Sequence, residues 1–252
     1  MSQNHSPLFR NFSARLALLA VTLVPASAWA YRPFDGTDAD VAKLGEFELE
    51  FQPAGYLSAP SGSAVVAPDF VANFGLLPRW ELVVEGRGIW PRSAARASLQ
   101  ELGVFGKHVI VEGILQDAPG MSVATEVGPL LPGIHGDSGF GGHAAVLVSR
   151  GGAAGILHGN GAFQWTRQGH PAALASIIAE ANQALPLRPV AEVGAMAVKG
   201  TGLSYSGLFG AILTANPELA FDLAIKGTIA PSERIWELRL GVTWTRRIWT
   251  RG

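Results

Sequence analysis

The chain has no cysteine, which excludes disulfides and thiolate metal sites from its architecture. It is poor in charge: Asp, Glu, Lys and Arg make up 15% of residues, against roughly 25% in soluble domains. No basic patch or stripe stands out, which argues against nucleic acid as a partner. Hydrophobic residues make up 48%, yet beyond residue 30 no run approaches the 18 or so apolar residues of a membrane helix. A greasy chain without such a helix has its apolar residues dispersed. In an exported protein, dispersal over alternate positions is the pattern of a transmembrane β-barrel.

Export is expected from residues 1–30. Arg10 and Arg15 form a positive start, and Leu16 to Val24 is a short apolar run. Ala28-Trp29-Ala30 supplies a small-x-small cleavage pattern. Together these read as a secretory signal peptide cleaved after Ala30, with an apolar part too short for a membrane anchor. The alternatives are an uncleaved anchor or a structural first helix. Removing Arg10 and Arg15 leaves a modest acidic excess in the remaining chain.

Period decides the secondary structure. Phe47, Leu49 and Phe51 alternate with Glu46, Glu48 and Glu50. A helix would mix these two sets, whereas a strand sends them to opposite faces. The pattern recurs at Trp80–Glu85, at Leu219–Lys226 and at Trp236–Thr245. Segments between Gly, Pro, Asn and Asp breaks predict about twelve strands. They lie near 46–57, 64–75, 79–90, 99–112, 120–131, 140–150, 154–166, 172–184, 188–199, 203–215, 218–228 and 235–248. The expected fold is therefore all-β, a closed antiparallel up-and-down barrel over 46–249. An even strand count puts both termini at one end, expected to be periplasmic, with short loops facing outward. Trp80, Trp90, Trp165, Trp236, Trp244 and Trp249 fall near strand ends, where interfacial girdles form. Core tryptophans of a soluble sandwich are the alternative. Residues 31–45, with Asp35, Asp38 and Asp40, read as a short polar periplasmic lead-in.

Several stretches resemble a known family. They are Arg32-Pro33-Phe34-Asp35-Gly36-Thr37-Asp38-Ala39 with Gly45-Glu46-Phe47-Glu48, Asn73-Phe74-Gly75-Leu76 with Trp80-Glu81-Leu82, Leu102–His108, and Leu240–Trp244. These resemble the outer-membrane transporter family named for the meta-pathway of phenol degradation. The resemblance spans most of the chain after residue 30. It implies a membrane barrel through which small hydrophobic or aromatic compounds cross, and it transfers no site residues.

Four constellations invite chemistry. Gly136-Asp137-Ser138-Gly139 matches the nucleophile segment of chymotrypsin-like proteases. It lacks a suitably placed histidine base and suits a glycine-rich surface loop better. His143 and Ser149 share a strand face but stand six residues apart, roughly 20 Å. His158 and Asn160 share another face, with no evident serine partner. Both pairs read better as lumen-lining polar residues than as a lipase pair. Asp35, Asp38 and Asp40 have calcium-type oxygens but read better as a solvated acidic segment. No metal, cofactor or covalent chemistry is expected.

The polar strand face remains. Alternation directs Glu48, Glu50, Asp69, Asn73, Glu81, Glu85, Arg87, Lys107, Glu126, His143, His158, Asn160, Gln164, Glu180, Asn182, Glu192, Asp222, Lys226, Glu237 and Arg239 inward. A midplane charge facing lipid costs about 2–4 kcal/mol for Arg or Lys, which forces this placement. These residues form either a salt-bridged plug or a hydrated path. The expected role is a passive channel for small hydrophobic or aromatic compounds. The expected partners are outer-membrane lipid, the insertion machinery and a small-molecule solute. A closed-lumen structural or interaction protein, or a lipid-acting barrel enzyme, is the alternative.

Overall fold

A computed structural model describes residues 32–93, 96–136 and 138–249. The signal-peptide reading of residues 1–30 and Asp137 of the Gly-Asp-Ser-Gly motif lie outside these residues. Within them, twelve antiparallel strands form a closed barrel: β1 (Glu46–Ala59), β2 (Gly62–Leu77), β3 (Trp80–Pro91), β4 (Ser98–Val111), β5 (Ser122–Leu130), β6 (Gly141–Gly152), β7 (Gly155–Trp165), β8 (Pro171–Ala181), β9 (Leu187–Val198), β10 (Gly202–Asn216), β11 (Leu219–Ile229) and β12 (Arg234–Arg247). Each strand pairs with its sequence neighbours, and β12 closes on β1. The predicted segments match these strands to within a few residues. Asn182 is the exception to their inward list. It sits in the β8–β9 turn, where its carbonyl accepts from Leu185 N–H and its side chain from Ala184 N–H.

Alternation is the physical reason for the wall. On β11, Ala220, Asp222 and Ala224 are buried while Phe221, Leu223 and Ile225 stand exposed. Phe209, Val193, Ile177 and Leu157 continue the exposed apolar face across β10, β9, β8 and β7. Inward residues face one another across a lumen, so the barrel has no layered core. It has small apolar clusters instead, one of which joins Ala39, Val109, Leu115, Ala124, Ala145, Leu147 and Ile156. Trp90, Trp165 and Trp236 ring one end of the outer face, and Trp80, Trp244 and Trp249 the other. Trp80 stacks on His108 at 4.1 Å between ring centroids.

Register slips mark β1 between Phe51 and Ala54, β2 between Val66 and Asp69, and β3 between Glu85 and Arg87. Pro53 and Pro68 lie in the first two of these gaps. Neither has an N–H for the ladder, so a bulge is where a strand tolerates it.

Residues 32–45 depart from expectation. The segment does not lie outside the wall as a lead-in but runs inside the lumen. Its entry is fixed at the terminal end, where Gly45 N–H donates to Gly75 C=O and Ile248 N–H donates to Gly45 C=O. Gly75 is required there, because a Cβ would collide with the backbone carbonyls of Ala42 and Lys43. The β4–β5 connector also folds inward. Its 3-10 turn (Ile114–Gln116) directs the Gln116 amide onto Ala39 C=O and Asp40 Oδ1, at 2.9 and 3.0 Å.

Candidate functional site

The segment follows the inner wall strand by strand. Ala42 N–H donates to Glu81 on β3 (2.6 Å). Lys107 on β4 lies 3.5 Å from Asp38 and 3.4 Å from Glu81. Ala39 N–H donates to Ser149 Oγ on β6 (3.0 Å), and Thr37 N–H to Asn160 Oδ1 on β7 (2.9 Å). Glu192 on β9 accepts from both Asp35 N–H and Gly36 N–H, at 2.8 and 3.0 Å. Asp35 pairs with Lys226 on β11 and with Arg239 on β12, the latter at 2.7 Å. Arg239 also donates to Pro33 C=O (2.7 Å). Arg32 completes the circuit beside Asp69 on β2 (3.8 Å), Asp222 on β11 (3.7 Å) and Gln52 on β1.

An extended segment has no ladder of its own, so its N–H groups need other acceptors, most of them side chains of the wall. Glu81, Ser149, Asn160 and Glu192 supply those acceptors. Gly36 fits because of its missing side chain. A Cβ would stand 2.8 Å from Ser176 Oγ, 3.0 Å from Glu192 Oε1 and 3.1 Å from the Asn160 amide.

Two carboxylates of the segment are held in opposite states. Burial pushes the Asp35 carboxyl up, but Arg239 and Lys226 outweigh it and hold the group well below the usual carboxylate range. Burial and the neighbouring Asp38 push Asp40 up to about 7, against the N–H of Val41, the Gln116 amide and Lys107. The three aspartates weighed as calcium ligands are therefore spread over different wall partners. Among the described residues no group of three His, Asp or Glu side chains is arranged to hold a metal ion.

Space remains around the segment as a cavity of about 560 Å³. Of the residues predicted to face inward, Glu48, Glu50, Asp69, Asn73, Glu81, Glu85, Arg87, Lys107, Glu126, His143, Asn160, Gln164, Glu192, Lys226 and Arg239 line it. The sequence alternatives of plug and hydrated path thus coexist. Charges crowd one arc. Arg87 pairs with Glu237 (2.7 Å) and Glu101 (3.9 Å), Glu126 lies 3.3 Å from His143, and Asn73 reaches both Glu48 and Glu50. On β8 to β11 the lining carries two charges, Glu192 and Lys226, and beyond them is an uncharged arc of Leu174, Ser176, Gly194, Met196, Ser204, Ser206 and Thr228.

His158, Glu180, Asp222 and Glu237 point inward but lie behind this surface, buried. His158 does have a serine partner, contrary to expectation. Ser149 Oγ is 2.8 Å from its Nδ1 across the β6–β7 pair, and Glu180 lies 3.7 Å from its Nε2. His143, by contrast, is engaged with Gln164 (3.1 Å) and Glu126. Ser149 and His158 are 0% and 1% exposed, and Ser149 Oγ already accepts the Ala39 N–H. This cluster anchors the segment to the wall. Arg188, missed in the sequence, pairs with Glu180. Its position four residues before Glu192 on the same strand face was the available signal. Gln52 was missed in the same way, two residues after Glu50.

A closed twelve-stranded meander with an apolar exterior and a charged lumen is the architecture of outer-membrane channels. Solved outer-membrane barrels share this fold over about four fifths of the chain. An outer membrane channel from Pseudomonas putida F1 aligns with a TM-score of 0.59 at 9% identity, over 84% of this chain and 100% of that one. The NanC porin aligns at 0.56 and 8% identity, over 79% and 98%, and the KdgM porin at 0.51 and 8%, over 78% and 98%. These likenesses establish the fold. No family model matches the chain, and no curated protein matches it in sequence.

Proposed function

We propose that the protein is a passive channel of the bacterial outer membrane for small hydrophobic or aromatic compounds. The observation that carries this reading is the cavity of about 560 Å³ inside a wall whose outer face is apolar. That volume lies in the range of small-molecule sites. The uncharged arc of Leu174, Met196 and their neighbours offers an apolar solute a path past the charged arc. The resemblance to the phenol meta-pathway transporters points to the same solute class. In this reading the signal peptide is removed near Ala30, and the insertion machinery places the barrel among outer-membrane lipids with both strand termini on the periplasmic side. No cofactor or covalent step is involved. Proteoliposomes loaded with the protein take up toluene and phenol faster than empty ones, and planar bilayers show single-channel steps. Absence of both effects overturns the reading.

A second reading, a closed-lumen structural or interaction protein, is favoured by the segment threaded through the lumen. It predicts a flat bilayer trace that stays flat when the segment is removed.

A further inference from the structure

The Lys226–Arg239 pair on β11 and β12 holds the Asp35 carboxylate of the lumenal segment. We infer that these two cations form a binding site for small organic carboxylates with an apolar body, and that Asp35 occupies it as a built-in competitor. This rests on the reading of the lumen as a solute path.

Three observations support it. First, the anchors of the segment differ in accessibility. Asp38 and Arg32 are 2% and 6% exposed, whereas the Asp35 side chain is 38% exposed, to the cavity that Lys226 and Arg239 also line. A solute entering the lumen reaches this anchor first. Second, the site has the chemistry of carboxylate capture. Arg239 Nη2 meets one oxygen at 2.7 Å and Lys226 Nζ meets the other. Charge-assisted contacts of this kind are the strong ones. Third, the uncharged arc begins beside Lys226. Thr228 follows on the same strand face, then Ser206 and Ser204 on β10 and Met196 on β9. A carboxylate on the cations has its body against this arc.

The exchange is neutral in charge. An incoming carboxylate replaces the Asp35 carboxylate, and the acids that remain nearby, Glu192 and Glu237, keep their own partners: Glu237 its pairs with Arg87 and Arg239, Glu192 the segment N–H groups. An uncharged solute that displaced Asp35 would strip Lys226 and Arg239 of that carboxylate and leave Arg239 with Glu237 alone, which is costly. Carboxylates therefore favour the displaced state of the segment and neutral aromatics do not, and only such differential affinity shifts an equilibrium.

The test uses the full folded barrel in detergent, with benzoate and toluene as probes. Asp35→Asn, which removes the competing charge, is expected to tighten benzoate binding at least tenfold by calorimetry and to leave toluene unchanged. Adding Lys226→Met to that variant is expected to abolish the gain. Equal benzoate affinity in wild type and Asp35→Asn overturns the proposal, as does an equal gain for toluene. Should Asp35→Asn fail to fold, a single cysteine placed by Thr37→Cys in this cysteine-free chain gives a second readout. Benzoate, and not toluene, is expected to speed its labelling by a maleimide several-fold, and no acceleration overturns the site. Failure of the channel reading is separate: it shows as absent toluene flux, whatever benzoate does.

Discussion

Residues 32–45 and the strand that follows them are neighbours in sequence and opposites in how they are held. The wall from Glu46 onward is a continuous backbone ladder in which every strand has two partners. Its bonds are repeated, local and almost independent of side-chain identity. The lumenal segment is fastened point by point, its N–H groups reaching Glu192 on β9, Asn160 on β7, Ser149 on β6 and Glu81 on β3. Losing one side chain costs the wall little and the segment a fixed anchor. The lesson is that one polar inner face does two jobs. It keeps charge away from lipid, and it serves as a template for a chain that has no secondary structure of its own.

The largest effect that would separate these regions comes from removing residues 32–44. Single-channel conductance in planar bilayers is expected to rise several-fold, while heat-modifiable migration of the barrel stays as in wild type. A lost heat shift would mean that the wall needs the segment and is not held independently of it. Next is Lys107→Met. It strips Asp38 and Glu81 of their shared buried cation, and breaking such a pair costs about 3–5 kcal/mol, read as a lower denaturant midpoint. Replacing Glu81 as well is expected to recover part of that loss, because the stranded charge goes with it.

A matched glycine pair sharpens the comparison at smaller scale. Gly36→Val drives a side chain into Ser176, Glu192 and Asn160, at a cost of about 1–3 kcal/mol. Gly159→Val, on the β7 wall where nothing lies within 4 Å of a Cβ, is expected to change stability by about 0.5 kcal/mol or less. Equal midpoints for the two variants would remove the distinction between segment and wall.

The smallest effect is one of pH. Asp40 titrates at about 7 in place against 3.8 for the free side chain, so the docked segment favours its protonated form. That contribution is fully present below about 3.8 and is lost as pH rises through about 7. A Thr37→Cys probe is therefore expected to label faster at pH 8 than at pH 5, after correction for thiol ionisation with a model peptide. Asp40→Asn is expected to flatten the profile, and a profile that survives it would assign the effect to another group.

How much of this was legible in the sequence differs between the two regions for the same reason. Leu219–Ile229 announces its strand within eleven residues, because pleating sends alternate side chains to opposite faces. Parity applied without omission also brings Gln52 and Arg188 to the buried face, whereas Asn182 falls in a turn. The Ser149–His158 contact was not legible. It runs across two strands, and which residues stand opposite depends on register, here Ser149 facing His158. Asp35 was harder still. Its partners Glu192, Lys226 and Arg239 sit on three strands far along the chain, and nothing local in residues 32–45 signals a bond to them.

By itself, then, the sequence determined the closed wall: strand number, approximate bounds and which side chains face inward, since these follow from period and from the cost of charge in lipid. The tertiary structure alone decided what fills the wall. Only barrel closure brings β3, β6, β7, β9 and β12 around one lumen, and only there do Glu81, Ser149, Asn160, Glu192 and Arg239 converge on a segment that would otherwise be a polar tail.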